Sequence, residues 1–161
     1  VLALFGGFIS VHVLGIFEPV MELHPELFFF TPLIAAMAGN VGVQSSAIIV
    51  QGLANNTIIG PVIERLLKEL SLSLLNGIIL SAILLLGSYF LLGYEIHVGY
   101  TVSIALLSVI IMASLIGTFI PIILNKYGVD PALATGPFIT TSNDILGILT
   151  YFTIAKIILG I

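Results

Sequence analysis

Long apolar runs broken by four short polar stretches make up the pattern of this chain. The runs read as membrane spans over about 1–17, 27–54, 69–92, 100–124 and 131–161, because a helix crossing the hydrocarbon core needs about 20 apolar residues. The intervening stretches carry loop punctuation. Glu18, Glu22, His24 and Glu26 fill the first, and "NNTIIGPVIERLLK" (55–68) reads as a polar linker with Asn-Asn and Gly-Pro breaks. "NKYGVDP" precedes the last run with a glycine stop and an Asp-Pro start. The expected architecture is all-α and membrane-integral: five transmembrane helices in one domain, 1–161, without internal repeats. Val1 already lies in an apolar run, so the chain reads as a piece lacking some residues of its first span, not as one opening on a signal peptide.

Composition supports the membrane reading and removes several functions. Hydrophobic residues make up 59% and charged residues 7% of the 161, and the mean hydropathy is +1.27. A soluble domain carries about 25% charged residues, so this chain could not clothe a globule. With no cysteine there are no disulfides, thiolate metal sites or cysteine nucleophiles. A net charge of −4 without a basic patch argues against nucleic acid as a partner. The few cations set the orientation. Arg65 and Lys68 lie in the second loop and Lys126 in the fourth, so those loops share a side, whereas Glu18, Glu22, Glu26 and Glu95 occupy the other two without any Lys or Arg. The positive-inside rule makes the basic side cytoplasmic. The N-terminus is then inside, the C-terminus outside, and Lys156 snorkels near the outer end of the fifth span.

The chemistry is concentrated in "PFITTSNDILGILTYF", residues 137–152. Asp144 stands mid-span, where a carboxylate costs about 2.5–3.5 kcal/mol on insertion scales. Residues four and seven apart share a helix face, and around Asp144 that face reads Gly136, Thr140, Asp144, Gly147, Tyr151. A protonated acid bonded to a neighbouring helix is one reading. An ion pathway accounts for the cost better, because no Arg, Lys or central His in the spans offers a partner. In a helix starting at Pro131, Pro137 would free the carbonyl of Leu133, with Gly136 adding flexibility; a simple packing kink is the competing account. "TGPFITTSND" thus gathers backbone oxygens, the hydroxyls of Thr140 and Thr141 and one carboxylate within about two turns. Such hard oxygen donors suit Mg²⁺ or Ca²⁺. In the second span Asn40, Gln44, Ala47 and Gln51 form a polar stripe, while Gly42 and Gly52 read as close helix contacts.

The stretch "TPLIAAMAGNVGVQSSAIIVQGLA" is similar to the P-x(6)-GN-x-G-x-Q segment in the second membrane helix of the MgtE family of magnesium channels. "GVDPALATGPFITTSNDILGILTYF" resembles that family's fourth loop and fifth helix, where DPA and a later D-x-x-G-x-L-x-Y run recur, and "FIPIILNKYGVDPA" keeps its fourth-helix proline at the same spacing. The resemblance covers essentially the whole chain. It implies a homodimer in the lipid of a prokaryotic inner membrane, with a pore on the two-fold axis lined by the second and fifth helices. It implies hydrated Mg²⁺ as the transported ion, held by Asp144 of both copies, with Thr140 and Gly136 close by and Asp130 near the cytoplasmic mouth. Asn40, Gln44, Thr141, Gly147 and Tyr151 are the further pore-lining candidates, Glu18 is the outer-mouth candidate, and Mn²⁺ and Ca²⁺ are the other candidate ions. Two departures stand out: Gly136 replaces a common Asn, and Gln51 replaces a common Arg. The family's amino-terminal regulatory and CBS domains and its connecting helix have no counterpart in these residues, so the chain reads as an excised pore domain or a stand-alone form.

Rival readings fare less well. An intramembrane aspartyl protease would need Asp130 and Asp144 as a dyad, yet they lie roughly 21 Å apart along one helix at about 1.5 Å per residue. His12, His24 and His97 are scattered and no HExxH occurs, which removes a zinc protease. A purely structural subunit leaves Asp144 unexplained. A Na⁺- or H⁺-coupled Mg²⁺ carrier is the remaining alternative, and alternating access usually rests on an inverted repeat, which is absent from the sequence.

Overall fold

The computed structural model describes residues 1–58, 60–134 and 136–161; Ile59, in the second linker, and Thr135, ahead of the last helix, fall outside. Among the described residues there is no strand. The helices are α1 (Leu2–Ile16), α2 (Glu18–Leu23), α3 (Glu26–Ala54), α4 (Val62–Phe90), α5 (Ile96–Lys126) and α6 (Pro137–Leu159), with a 3-10 turn at Pro131–Ala134 before α6. Four of them, α3 to α6, are long and apolar enough to cross a membrane. The first expected span is shorter: α1 has 15 residues, which is about 22 Å at 1.5 Å per residue against a core of about 30 Å.

Helix α5 is the axis of the bundle and packs against α3, α4 and α6. Its buried side chains include Val102, Ala105, Leu106, Val109, Ile110 and Ala113, which meet Leu27, Ile34 and Ala38 of α3 and Ile148, Phe152 and Ala155 of α6 in one apolar core. Phe17, after α1, stacks on Phe152 with ring centroids 5.4 Å apart. Helix α4 turns a seam of small residues inward, Ser73, Gly77, Ser81 and Ser88. Leu80 and Leu84 pack against the core, while many of its other Leu and Ile side chains, Ile79 and Ile83 among them, are exposed. That inversion is what a bilayer asks for: small residues let helix backbones approach, and apolar side chains face lipid.

The boundaries differ from the sequence reading where local chemistry starts a helix early or late. The 55–68 stretch is linker only as far as Pro61, which caps α4 in an extended conformation, so Val62–Lys68 are helical. The first loop holds the short helix α2, entered through Phe17 with Pro19 in its first turn. The last helix begins at Pro137 and not at Pro131. Pro137 is therefore a helix start, where its missing N–H is harmless, and the interior kink expected from it does not form. Gly136 precedes it at φ 59°, ψ −128°, a backbone region open essentially to glycine alone.

Candidate functional site

Three helices enclose a cleft of about 920 Å³. Helix α1 contributes Ala3, Gly6, Gly7 and Ser10; α3 contributes Ala35, Ala36, Gly39, Asn40, Val43 and Gln44. The opposite wall is the start of α6: Gly136, Pro137, Thr140, Thr141 and Asp144. Glycine or alanine occurs in all three walls, so backbone comes close to the cavity at many points. Gly39 shows how closely: a Cβ there would lie 3.3 Å from Asp144 Oδ1 and 3.4 Å from Thr140 Cγ2. Gly6 makes room for Thr141 in the same way, since a Cβ on it would collide with the Thr141 methyl.

Asp144 is half-buried in this wall. Thr140 Oγ1 donates to the carbonyl of Gly136 at 3.1 Å, which leaves the hydroxyl's lone pairs free to accept from a ligand or its waters. Asn40 and Gln44 are exposed along α3, and the same face continues through exposed Ala47 and Gln51. Among the described residues no three His, Cys, Asp or Glu side chains converge as a metal cage. One carboxylate with amides and hydroxyls around a roomy cleft suits an ion that keeps its water shell, as Mg²⁺ does.

The other sequence candidates lie elsewhere. Gly147 packs in the interior, where an added Cβ would stand 2.9 Å from Ala38 Cβ. Tyr151 is fully buried and its hydroxyl donates to the carbonyl of Leu27 at 2.8 Å. Asp130 is exposed and caps the 3-10 turn, its Oδ1 accepting from Ala132 N at 2.9 Å. Glu18 is exposed in the first turn of α2. Gly52 accommodates Ile58 of the following linker, not a neighbouring helix. Gly42 does sit at a helix contact: its Cβ would strike Asn143 Nδ2, and a Cβ on Gly117 would strike the Gly42 carbonyl.

Sequence reasoning missed a polar cluster inside the bundle. Glu69 of α4 accepts from Ser45 of α3 at 2.5 Å and from Ser114 of α5 at 2.7 Å, both on Oε1. The carboxylate thereby ties three helices together. Thr118 of α5 and Asn143 of α6 are also buried, the Thr118 hydroxyl and the Asn143 amide without hydrogen-bond partners among the described residues. The available signal was a carboxylate at the head of an apolar run with serines in two others.

Four helices long and apolar enough to cross a membrane, packed into one bundle with a carboxylate in the wall of its cleft, define the class as helical integral membrane proteins. Comparison with known proteins is specific: the family model described as MgtE, divalent cation transporter, matches residues 31–154. The chain belongs to the MgtE family, a family of transporters and not of enzymes. It is similar to the magnesium transporter MgtE of Bacillus subtilis, 39% identical over 156 residues covering 96% of this chain and 34% of the relative. The magnesium transporter MgtE of Thermus thermophilus is 32% identical over 160 residues, 99% of this chain and 35% of the relative. That of Enterococcus faecalis is 33% identical over 156 residues, 95% and 34% respectively. The chain thus spans about a third of the length of the curated relatives it matches.

Proposed function

We propose that this chain forms the membrane-spanning, ion-conducting part of a Mg²⁺ transport protein, and that two copies place their Asp144 clefts face to face to make one pore. The observation that carries the reading is Asp144 itself, a carboxylate in the wall of a cleft lined by glycine, alanine, hydroxyl and amide groups. Family membership supplies the ion class, and an ion that keeps its waters, as Mg²⁺ does, suits a cleft of about 920 Å³ with a single carboxylate. Mn²⁺ and Ca²⁺ share the preference for hard oxygen donors and are the competing ions.

The homodimer is supported by the uncovered polar stripe on α3, where Asn40, Gln44 and Gln51 are exposed. A single bundle leaves those amides to lipid, which is costly. A second copy turns the stripe into a pore wall and supplies the second carboxylate. In this arrangement Thr140, Thr141 and Gly136 flank the ion, Asp130 lies at one mouth and Glu18 at the other. The single-domain bundle is completed as a five-span unit by α1. The basic end, with Arg65, Lys68 and Lys126, faces the cytoplasm of a prokaryotic inner membrane, which also places the N-terminus inside. Channel-like conduction is the reading favoured over a carrier, since no inverted repeat of the kind that supports alternating access is legible in this sequence.

The test is Mg²⁺ uptake into proteoliposomes with wild type and Asp144→Asn. The variant keeps shape and packing but removes the charge, so Mg²⁺ selectivity over monovalent ions is expected to vanish while the protein still elutes as a folded dimer. Wild-type selectivity in Asp144→Asn overturns the site. Single-channel recording separates the mechanisms: unitary currents too large for a carrier cycle support the channel, and coupled uptake without such currents assigns a carrier.

A further inference from the structure

We propose a second binding site, for the phosphate headgroup of an anionic membrane lipid, at the basic end of the bundle. It shares no residue with the Asp144 cleft. A pocket of about 310 Å³ lies between the ends of α3, α4 and α5 and draws Arg65, Lys68 and Lys126 into one wall. These three are brought together from the start of α4 and the end of α5, far apart in sequence, and Glu64 is the one acid in the lining. Among the described residues the one ion pair is His24–Glu26, at the other end of the molecule. None of the three cations is in an ion pair among the described residues.

The pocket has the further marks of an anion site. Arg65 Nε is buried and has no hydrogen-bond partner among the described residues, so its N–H is desolvated without compensation from them. The start of α4, with Pro61 as N-cap and no side-chain capping bond, contributes the positive end of a 29-residue helix. Asn125 adds an uncharged donor to the lining. Guanidinium, ammonium groups and a helix N-terminus together match a phosphate diester.

What selects a lipid over a soluble phosphate is the surface beside the pocket. Leu66, Leu115, Ile116, Phe119 and Ile120 line a groove of about 240 Å³ between α4 and α5. Leu66 follows Arg65 directly, and Ile120 and Phe119 lie roughly 9 and 10.5 Å from Lys126 along α5 at about 1.5 Å per residue. A cationic pocket at the membrane surface with an apolar groove leading into the membrane fits an anionic headgroup with an acyl chain below it. Basic pockets between transmembrane helices on the positive side have this lipid chemistry.

The experiment uses the whole chain, delipidated in a neutral detergent, with thermal unfolding followed as phosphatidylglycerol, phosphatidylcholine or sn-glycerol 3-phosphate is added. Phosphatidylglycerol is expected to raise the unfolding temperature well above the effect of phosphatidylcholine, with glycerol 3-phosphate inert at matching concentration. In Arg65→Gln/Lys68→Gln/Lys126→Gln the half-saturating phosphatidylglycerol concentration should rise roughly a hundredfold, taking about fivefold per juxtamembrane cation. Ile116→Trp, which fills the groove and leaves the cations, should weaken phosphatidylglycerol as well. Equal shifts from both lipids overturn the site, as does an unchanged phosphatidylglycerol titration in the single variants Lys68→Gln and Lys126→Gln, which serve if the triple variant does not fold. A full shift from glycerol 3-phosphate, or no loss in Ile116→Trp, means a soluble phosphate site and overturns the lipid assignment.

Discussion

Gly39 of α3 stands directly against Asp144 of α6: a Cβ on the glycine would sit 3.3 Å from Oδ1, tighter than an ordinary contact. The contact joins the two helices that form the facing walls of the cleft, so the position of the acid depends on a missing side chain. The neighbouring atoms are side-chain tips, not backbone, and they can yield by a few tenths of an ångström.

Gly39→Ala should therefore leave the bundle folded and move the carboxylate. Mg²⁺ flux into proteoliposomes is expected to fall severalfold, with the unfolding temperature within a few degrees of wild type; Gly39→Val, bulkier, should lower flux further. Wild-type flux in both variants would detach α3 from the ion path.

Gly42 and Gly117 predict the opposite outcome. A Cβ on Gly117 would strike the backbone carbonyl of Gly42, and one on Gly42 would strike the amide of fully buried Asn143. Backbone cannot swing aside, so Gly117→Ala is expected to destabilise the protein by about 1–3 kcal/mol through overpacking. Thermal unfolding in detergent reads it. If Gly42→Ala and Gly117→Ala both unfold at the wild-type temperature, the α3–α5–α6 contact is looser than these distances state.

The apolar runs were legible in the sequence because span length is set by the bilayer and not by tertiary detail. Boundaries failed where one residue overrides a window. Pro61 starts α4 inside a stretch that looks like linker, and Gly136–Pro137 restarts the last helix after the 3-10 turn. Within the cleft, helical spacing grouped Asn40 with Gln44 and Thr140 with Asp144, and the structure brings all four to one cavity. The same spacing put Tyr151 on that face, yet Tyr151 bonds to Leu27. Sequence periodicity gives the direction of a side chain, and α3 decides at which depth that direction is still open. The Glu69 cluster was not legible at all: Ser45 lies 24 residues before the carboxylate and Ser114 lies 45 after it, so no local window contains the motif.

That cluster carries its own prediction. Glu69→Ala removes the acceptor shared by two buried hydroxyls and leaves them only their long mutual contact of 3.4 Å, an expected loss of about 1–3 kcal/mol. Replacing Ser45 and Ser114 by Ala together with Glu69→Leu removes every partner at once and should recover much of that stability, since the cost lies in orphaned groups. Chemical or thermal unfolding of the single and triple variants checks it. A triple variant less stable than Glu69→Ala would mean that the carboxylate serves the fold through something besides these two serines.

Asp130 tests whether an acid near the pore mouth acts on the ion or on the chain. Its Oδ1 accepts from Ala132 N at 2.9 Å, a capping role that Asn fills about as well. Asp130→Asn should therefore keep the unfolding temperature. An accompanying fall in Mg²⁺ affinity assigns an electrostatic role at the mouth, and unchanged affinity leaves Asp130 as a cap alone. Asp130→Ala should lower stability in either case, by about 0.5–2 kcal/mol.

Glu18 offers the same choice at the other end, and ionic strength resolves it. It is exposed, and it lies in the first turn of the six-residue helix α2, where a carboxylate also favours the positive end of the helix. Glu22 and Glu95 lie at the same end of the molecule and are likewise exposed, so a cation approaching that mouth meets charge of one sign. Such a rim speeds entry at low salt, and its reach shrinks as the Debye length falls from about 30 Å at 0.01 M to about 10 Å at 0.1 M. Glu18→Gln should thus slow initial Mg²⁺ uptake at 0.01 M salt, with a deficit that shrinks progressively as salt is raised. A loss of the α2 helix terminus alone would lower uptake and unfolding temperature together and persist at high salt. Uptake measured across that salt range, beside the melting curve of the same variant, distinguishes the two: a deficit independent of ionic strength removes steering by Glu18.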